Sequence, residues 1–345
     1  MIDLSNIFSK TDQLPSNVDD RVLIIDGTNL WIRIWAAGFP ITENGEHVGA
    51  TLGFLRSIGI NIREFNPTRC IVVFDGKGGS SRRKKVYAEY KANRSSKTSM
   101  RRDIFVTSED EEKSKRSQIL RAAQYLTLLP IQLFCIDHVE ADDVVAFITA
   151  NYYDKTENKI RIVSTDRDFL QLVSDKVEVY SPTKKKLYTP LEIKNELGLH
   201  PSNYLTYRVL TGDDSDNIGG IPGIGLKTLL KSFPEITEKV VDLDYLYTRS
   251  QEIVETEKKP KQVFKNIVAG REIADRNYDL MQLHDTDISS STKIQIIDLL
   301  RSPINKMNRT AFNRFIREDG LIDSFKNLDH WLNSTFNSLV VWSTQ

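Results

Sequence analysis

The sequence predicts an α/β protein built on a doubly wound, mostly parallel sheet, and three observations carry that expectation. Four short β-branched runs are almost continuously apolar, the pattern of strands covered on both faces. Helical patterns separate them, as the crossovers of a parallel sheet require. Each run also closes on a carboxylate, and in open sheets of this kind ligands bind beyond the carboxyl ends of the strands.

Taken in order, Val22 to Ile25 ends at Asp26, and Ile71 to Phe74 ends at Asp75. Ile131 to Ile136 is followed by Asp137 and Glu140, and Ile160 to Val163 leads to Asp166. After the third run, Glu140-Ala141-Asp142-Asp143 opens an apolar helical pattern. One or two acids there would complement the helix dipole, a gain of ~0.3–1 kcal/mol, but three crowded acids repel one another and call for a cation. Thr165-Asp166-Arg167-Asp168 adds two more carboxylates, and Gly212-Asp213-Asp214-Ser215-Asp216 adds a third acidic cluster. Oxygen donors without histidine or cysteine select magnesium or manganese over zinc. No EF-hand loop is present. Such a collection suits two ions clamping an in-line displacement at phosphorus.

The chain has 345 residues, 40% of them apolar and 27% charged, which suits a large core or a core with a satellite domain. Forty-seven basic residues balance 47 acidic ones, which excludes a protein that coats nucleic acid by bulk charge. Any polyanion must therefore be held locally. From Lys77 to Arg102 ten basic residues face one acid, Glu89, with Tyr87 and Tyr90 interleaved as candidate stacking surfaces. This stretch continues into the acidic run Glu109 to Glu112, so roughly forty residues separate the second strand from the helix leading to the third, too many for an idle connection. A flap or arch is the natural reading. The second phosphate element, Gly219-Gly220-Ile221-Pro222-Gly223-Ile224-Gly225-Leu226-Lys227, presents backbone N–H groups and a lysine at a helix start. It is not a P-loop, because Leu226 stands where that motif needs lysine.

Between these lie simpler features. Lys184-Lys185-Lys186 reads as a hairpin tip, and Thr189-Pro190-Leu191-Glu192 is a helix start with its cap, running to Leu197. Lys258, Lys259, Lys261 and Lys265 form a further basic patch. Cys70 and Cys135 sit in apolar runs and read as small hydrophobes without a disulfide. Five scattered histidines offer no zinc spacing, and no apolar run reaches the ~18 residues of a membrane span. The expectation is a soluble, cytoplasmic protein.

Several of these segments together resemble the 5′-nuclease, or flap endonuclease, superfamily: Ile25-Asp26-Gly27-Thr28-Asn29, Phe74-Asp75-Gly76, Arg83 with Tyr87-x-x-Tyr90-Lys91-x-x-Arg94, Glu140-Ala141-Asp142-Asp143, Thr165-Asp166-Arg167-Asp168-Phe169, and Gly212-Asp213-x-x-Asp216-Asn217 before Gly223-Ile224-Gly225-x-Lys227. The match covers about residues 20 to 235 and is most like the stand-alone phage replicative nucleases of the T4 RNase H type. The resemblance implies a PIN-like nuclease domain over residues 1–182, with an arch at about 82–118. It implies a helical DNA-binding domain over 183–345, with a helix–three-turn–helix at about 200–235 and a C-terminal helical region.

By the same resemblance, Asp26, Asp75, Glu140 and Asp142 would serve a first magnesium site, with Asp143 beside it. Asp166, Asp168, Asp213 and Asp216 would serve a second, while Asp214 matches no ligand. Manganese would substitute for magnesium, and a potassium ion would sit on the helix–three-turn–helix backbone. Arg83, Lys91 and Arg94 would grip the scissile phosphate or the threaded 5′ strand, with Tyr90 as a stacking platform and Gly223, Gly225 and Lys227 holding the downstream duplex. The acidic run Glu109 to Glu112 departs from a strand-threading arch. The implied activity is 5′→3′ exonuclease and flap endonuclease action, removing RNA primers and flaps during replication and leaving 5′-phosphates. Implied partners are branched DNA and RNA–DNA duplex, and a single-stranded-DNA-binding protein or sliding clamp, with the chain a monomer. The rivals are a PIN-type ribonuclease of single-stranded RNA and a non-catalytic scaffold for branched DNA.

Overall fold

The computed structural model of the chain describes residues 21–37, 47–93, 104–151, 158–284 and 288–340. In chain order its elements begin with β1 (Arg21–Asp26), α1 (Gly27–Ala37), α2 (Gly49–Phe65), β2 (Arg69–Asp75), α3 (Ser81–Val86), α4 (Ser108–Thr127), β3 (Gln132–Ile136), α5 (Ala141–Asn151) and β4 (Lys159–Val163). They continue with β5 (Val177–Ser181), β6 (Lys186–Tyr188), α6 (Pro190–Leu197), α7 (Tyr204–Thr211), β7 (Gly212–Asp213), β8 (Ile218–Gly219), α8 (Leu226–Ser232), α9 (Leu243–Thr256), α10 (Gln262–Ala269) and α11 (Arg271–Met281). The last three are α12 (Ser290–Arg301), α13 (Arg309–Glu318) and α14 (Leu328–Val340). None of the described helices is long and apolar enough to cross a membrane.

The chain divides into two compact units, and neither is continuous in sequence. The first holds the described residues within Met1–Lys77, Met100–Thr165 and Asp287–Gln345, and the second those within Gly78–Ser99 and Asp166–Thr286. A single cut after residue 182 therefore divides the chain differently from the structure, which returns the last helices to the first unit. The reason is packing. Buried Arg69, at the start of β2, donates to the Leu300 carbonyl at the end of α12 and to Gln132 Oε1 at 2.6 Å. Gln132 in turn donates to the carbonyls of Leu299 (3.0 Å) and Ser302 (3.2 Å). Arg121 forks onto Asp319, which also accepts from the Tyr125 hydroxyl at 2.7 Å. Near α14, Arg63 bonds Thr335 Oγ1 at 2.6 Å.

In the first unit the strand order is β3-β2-β1-β4, with every neighbour parallel. β1 runs to β2 and β3 on one side and to β4 on the other, so the order reverses between β1 and β4. Such a reversal opens a crevice at the strand ends. The central strands are the apolar runs seen in the sequence, and Val22 to Ile25 and Ile71 to Val73 are fully buried. Cys70 is buried among them, whereas Cys135 is exposed because β3 is the edge strand of this order; both thiols are free. Glycines follow the first two strand-end acids for steric reasons. A Cβ at Gly76 would lie 1.8 Å from the Ile136 carbonyl oxygen, and one at Gly27 would lie 2.9 Å from that of Val73.

The second unit begins with local features the sequence states plainly. β5 and β6 form an antiparallel hairpin whose turn carries Lys184 and Lys185. Thr189 caps α6 by accepting from the Glu192 N–H at 3.4 Å, and Gly198 ends the helix in the left-handed region. Beyond it, α7, α8, α10 and α11 enclose a core that includes Leu210, Ile221, Leu229, Phe233, Phe264 and Tyr90.

Candidate active site

In the first unit, three segments bring carboxylates to the strand ends. Asp26 closes β1, is buried, accepts from the Asn29 N–H at 3.0 Å and receives the Ser164 hydroxyl across the β1–β4 reversal at 3.0 Å. Asp75 closes β2, its N–H is held by Thr28 Oγ1 (2.8 Å), and its Oδ1 accepts from the Ala141 N–H (2.7 Å) at the start of α5. That contact draws the β2 terminus to the Glu140-Ala141-Asp142 turn. Glu140, Asp142 and Asp143 then converge, with one carboxylate oxygen of each within 4.8 Å of the others. Glu140 and Asp143 are buried.

Acids this close repel, two of them are buried, and the donors are hard oxygens, so Glu140, Asp142 and Asp143 fit a divalent cation. Asp26 and Asp75 close the neighbouring strand ends. Asn29 serves as a brace, accepting at Oδ1 from the Thr165 N–H (3.1 Å) and hydroxyl (2.7 Å), which fixes the chain just before Asp166.

In the second unit, Asp214 to Asn217 forms the tip of the β7–β8 hairpin, and Asp213 ends its first strand. Gly212 starts it at φ +77°, where a Cβ would meet the Ile218 carbonyl oxygen. Asp213 Oδ1 accepts from the Ser215 N–H and hydroxyl, both at 2.7 Å. Arg208, in the last turn of α7, donates from Nη2 to Asp168 Oδ1 at 3.2 Å and to Asp213 Oδ2. The Asp166 carboxylate accepts from the Asp168 N–H at 2.9 Å. Desolvation first, then the Asp166 charge, pushes the Asp168 carboxyl well above the usual range, with Asp213 and Asp216 adding to it. Burial alone would raise Asp213 too, but Arg208 and the Ser215 bonds outweigh it and hold that carboxyl low.

The segment from Tyr87 to Asn93 is clamped against this hairpin tip. Lys91 adopts φ +58°, donates its N–H to the Asp216 carbonyl at 2.9 Å and brings Nζ to 3.9 Å from Asp216 Oδ2. Asn217 Nδ2 donates to the Glu89 carbonyl at 2.8 Å, and Asn93 Nδ2 to that of Asp214 at 3.2 Å. These contacts correct two expectations. Tyr90 is 2% exposed within the core of the second unit, so neither ring face is open to a base. Arg83 is likewise 2% exposed and donates from Nε to the Leu280 carbonyl at 2.8 Å, which makes it an anchor of α3 on α11 rather than an open phosphate grip. Tyr87 is half-buried under the Arg276 guanidinium, 4.5 Å from its ring centre. Arg94 lies outside the described residues.

Of the glycine-turn residues, Gly223 has φ +76° and needs glycine for that reason, while a Cβ at Gly225 would touch nothing. Lys227 is exposed in the first turn of α8. The acidic run begins in the first turn of α4, where Thr107 caps the helix by accepting from the Asp110 N–H at 3.1 Å. Glu109, Asp110 and Glu112 face solvent, and Glu109, Asp110 and Glu111 in the first turn complement the helix dipole. Sequence reading missed Arg208, Ser164 and Ser215. Only Arg208 left a trace, one helical turn before the glycine that starts the hairpin.

A family model described as the 5′-3′ exonuclease N-terminal resolvase-like domain matches residues 21–198, just over half of the chain. The chain belongs to the 5′-3′ exonuclease family. It is 31% identical over 228 residues to the 5′-3′ exonuclease of Buchnera aphidicola subsp. Schizaphis graminum, covering 65% of this chain and 74% of that one. It is 35% identical over 215 residues to the thermostable DNA polymerase I of Thermus filiformis, covering 62% of this chain. The match spans about a quarter of that polymerase's length, 24%. Among solved structures, the bacteriophage T5 D15 flap endonuclease, in a pseudo-enzyme–product complex with DNA and metal ions, shares the fold with a TM-score of 0.60. It is 23% identical, covering 87% of this chain and 99% of that one.

Proposed function

We propose that this chain is a structure-specific 5′→3′ exonuclease and flap endonuclease that hydrolyses phosphodiesters with magnesium, or manganese in its place. Its substrates are branched or flapped DNA and RNA–DNA duplex, and its role is removal of primers and flaps during replication. The observation that carries this reading is the convergence of Glu140, Asp142 and Asp143, within 4.8 Å, beside the acid-bearing ends of β1 and β2 in a chain of this family. Divalent ions held by these acids would supply Lewis acidity at phosphorus and would neutralise charge on the leaving oxygen. The chain's own part is to fix the ligands. The Ala141 N–H and Thr28 hold Asp75, Asn29 and Ser164 hold Asp26, and the start of α5 holds the convergent three.

Lys91 is the cation proposed to meet the scissile phosphate, with Arg94 its helper. Gly223, Gly225 and Lys227 are proposed to meet the duplex backbone, with a potassium ion on the same turn. The open space where a Gly225 side chain would stand supports close approach of a phosphate. A single-stranded-DNA-binding protein or sliding clamp is the proposed protein partner, checked by whether either raises the cleavage rate. A labelled 5′-flap DNA tested beside linear single-stranded RNA separates this reading from a PIN-type ribonuclease. Release of the flap with the RNA left intact is expected, and the reverse preference contradicts it.

A further inference from the structure

Two arginine clusters in this molecule differ in geometry. Arg121 grips Asp319 as a fork, with Nε and Nη2 both engaged, and the Tyr125 hydroxyl completes the set. That is how a permanent structural bridge is built. Arg208 uses a single nitrogen, Nη2, shared between Asp168 Oδ1 (3.2 Å) and Asp213 Oδ2, and its Nε is buried without a partner among the described residues. A buried unpaired donor costs stability, so a purely structural arginine would be expected to use it.

The two acids that Arg208 joins come from different segments. Asp168 follows the Asp166 turn and Asp213 ends β7, with Asp216 three residues on in the hairpin tip. Among the described residues, only Glu140, Asp142 and Asp143 bring three acidic ligand atoms within 4.8 Å of one another. The Asp166, Asp168, Asp213 and Asp216 set is looser, and a guanidinium stands inside it. Its charge lies where it lowers the set's attraction for a divalent ion while keeping the carboxylates oriented.

We propose that Arg208 is a positioning residue that acts as the resident counter-cation of this second acid set, holding Asp168 and Asp213 ready in the metal-free chain and weakening the set's hold on a divalent ion. This rests on the reading of these acids as ion ligands. Loss of one positive charge a few ångströms from a divalent ion, at the effective dielectric of a partly buried site, strengthens binding by about tenfold or more. A second consequence is that the ion replaces what Arg208 supplies. The variant should be less stable than wild type in chelator and should approach it in saturating magnesium.

The test is calcium titration by calorimetry on DNA-free protein, with melting in chelator and in magnesium, for wild type, Arg208→Gln and Arg208→Lys. The proposal expects Arg208→Gln to bind the weaker of the calcium ions about tenfold more tightly and to recover most of its lost melting temperature in magnesium. Arg208→Lys, which keeps the charge, should stay within about threefold of wild-type affinity. Unchanged or weaker binding by Arg208→Gln overturns the proposal, as does a melting deficit that magnesium leaves untouched. If Arg208→Gln does not fold, a large rise in calcium affinity for Arg208→Lys overturns it. Wild type that binds no divalent ion removes the ion-ligand reading itself, whereas wild type that binds while Arg208→Gln binds no better removes only this inference.

Discussion

At the scale of single residues, the acids were legible and their neighbours were not. Asp26, Asp75 and Glu140 could be read because a carboxylate after an apolar strand is a one-dimensional signal. Tyr90 and Arg83 carry the opposite lesson. An aromatic or an arginine in a basic stretch reads as a ligand contact, yet tertiary packing buries both to 2% exposure. Tyr90→Ala should therefore cost about 3–5 kcal/mol of stability, as a truncated core aromatic does. Urea unfolding measures it, and a near-neutral result with lost DNA binding would restore the stacking role. Lys91 stays accessible enough to act, with its backbone held in the left-handed region against Asp216. Lys91→Ala should slow cleavage at least tenfold, about 1.4 kcal/mol in the barrier, while the melting temperature moves little.

At the scale of elements, what could be read is what is local. The Thr189 cap, the proline at the start of α6 and the closing Gly198 lie within ten residues and specify that helix without help. Thr189→Ala should cost about 1 kcal/mol, visible as a small drop in the unfolding midpoint, with cleavage unaffected. The four parallel strands were legible for a similar reason, since a run buried on both faces has no polar residue to interrupt it. Their order was not. It depends on which strand ends can approach, and Gly76 shows how close that approach is. Gly76→Ala would place a Cβ 1.8 Å from the Ile136 carbonyl oxygen and must part the ends of β2 and β3. Loss of soluble folded protein is the expected outcome, read by circular dichroism.

At the scale of the whole molecule, the neutral formal charge of 345 residues conceals segregation, with acids at the strand ends and the hairpin tip and cations in the stretch after β2. The division into units was the least legible feature. No composition change marks residue 287, and the return of α12 to the first unit depends on Arg69 and Gln132 reaching carbonyls more than 160 residues away. A chain ending at residue 286 should thus fail to fold cooperatively, because it takes the Leu300 carbonyl from buried Arg69 and α14 from the α2 surface. A cooperative melt near the full-length value would argue that the last helices are accessory.

The acids beside β1, β2 and α5 are proposed to hold divalent ions for cleavage of a 5′ flap. The most direct measurement follows a 5′-labelled flap substrate with magnesium and with chelator, for wild type and Asp142→Asn, with DNA binding measured in parallel. Flap release by wild type in magnesium alone is expected, with Asp142→Asn binding the flap normally but cleaving it at least a hundredfold more slowly, about 2.7 kcal/mol in the barrier. Full activity of Asp142→Asn in magnesium, or equal wild-type cleavage in chelator, would contradict it.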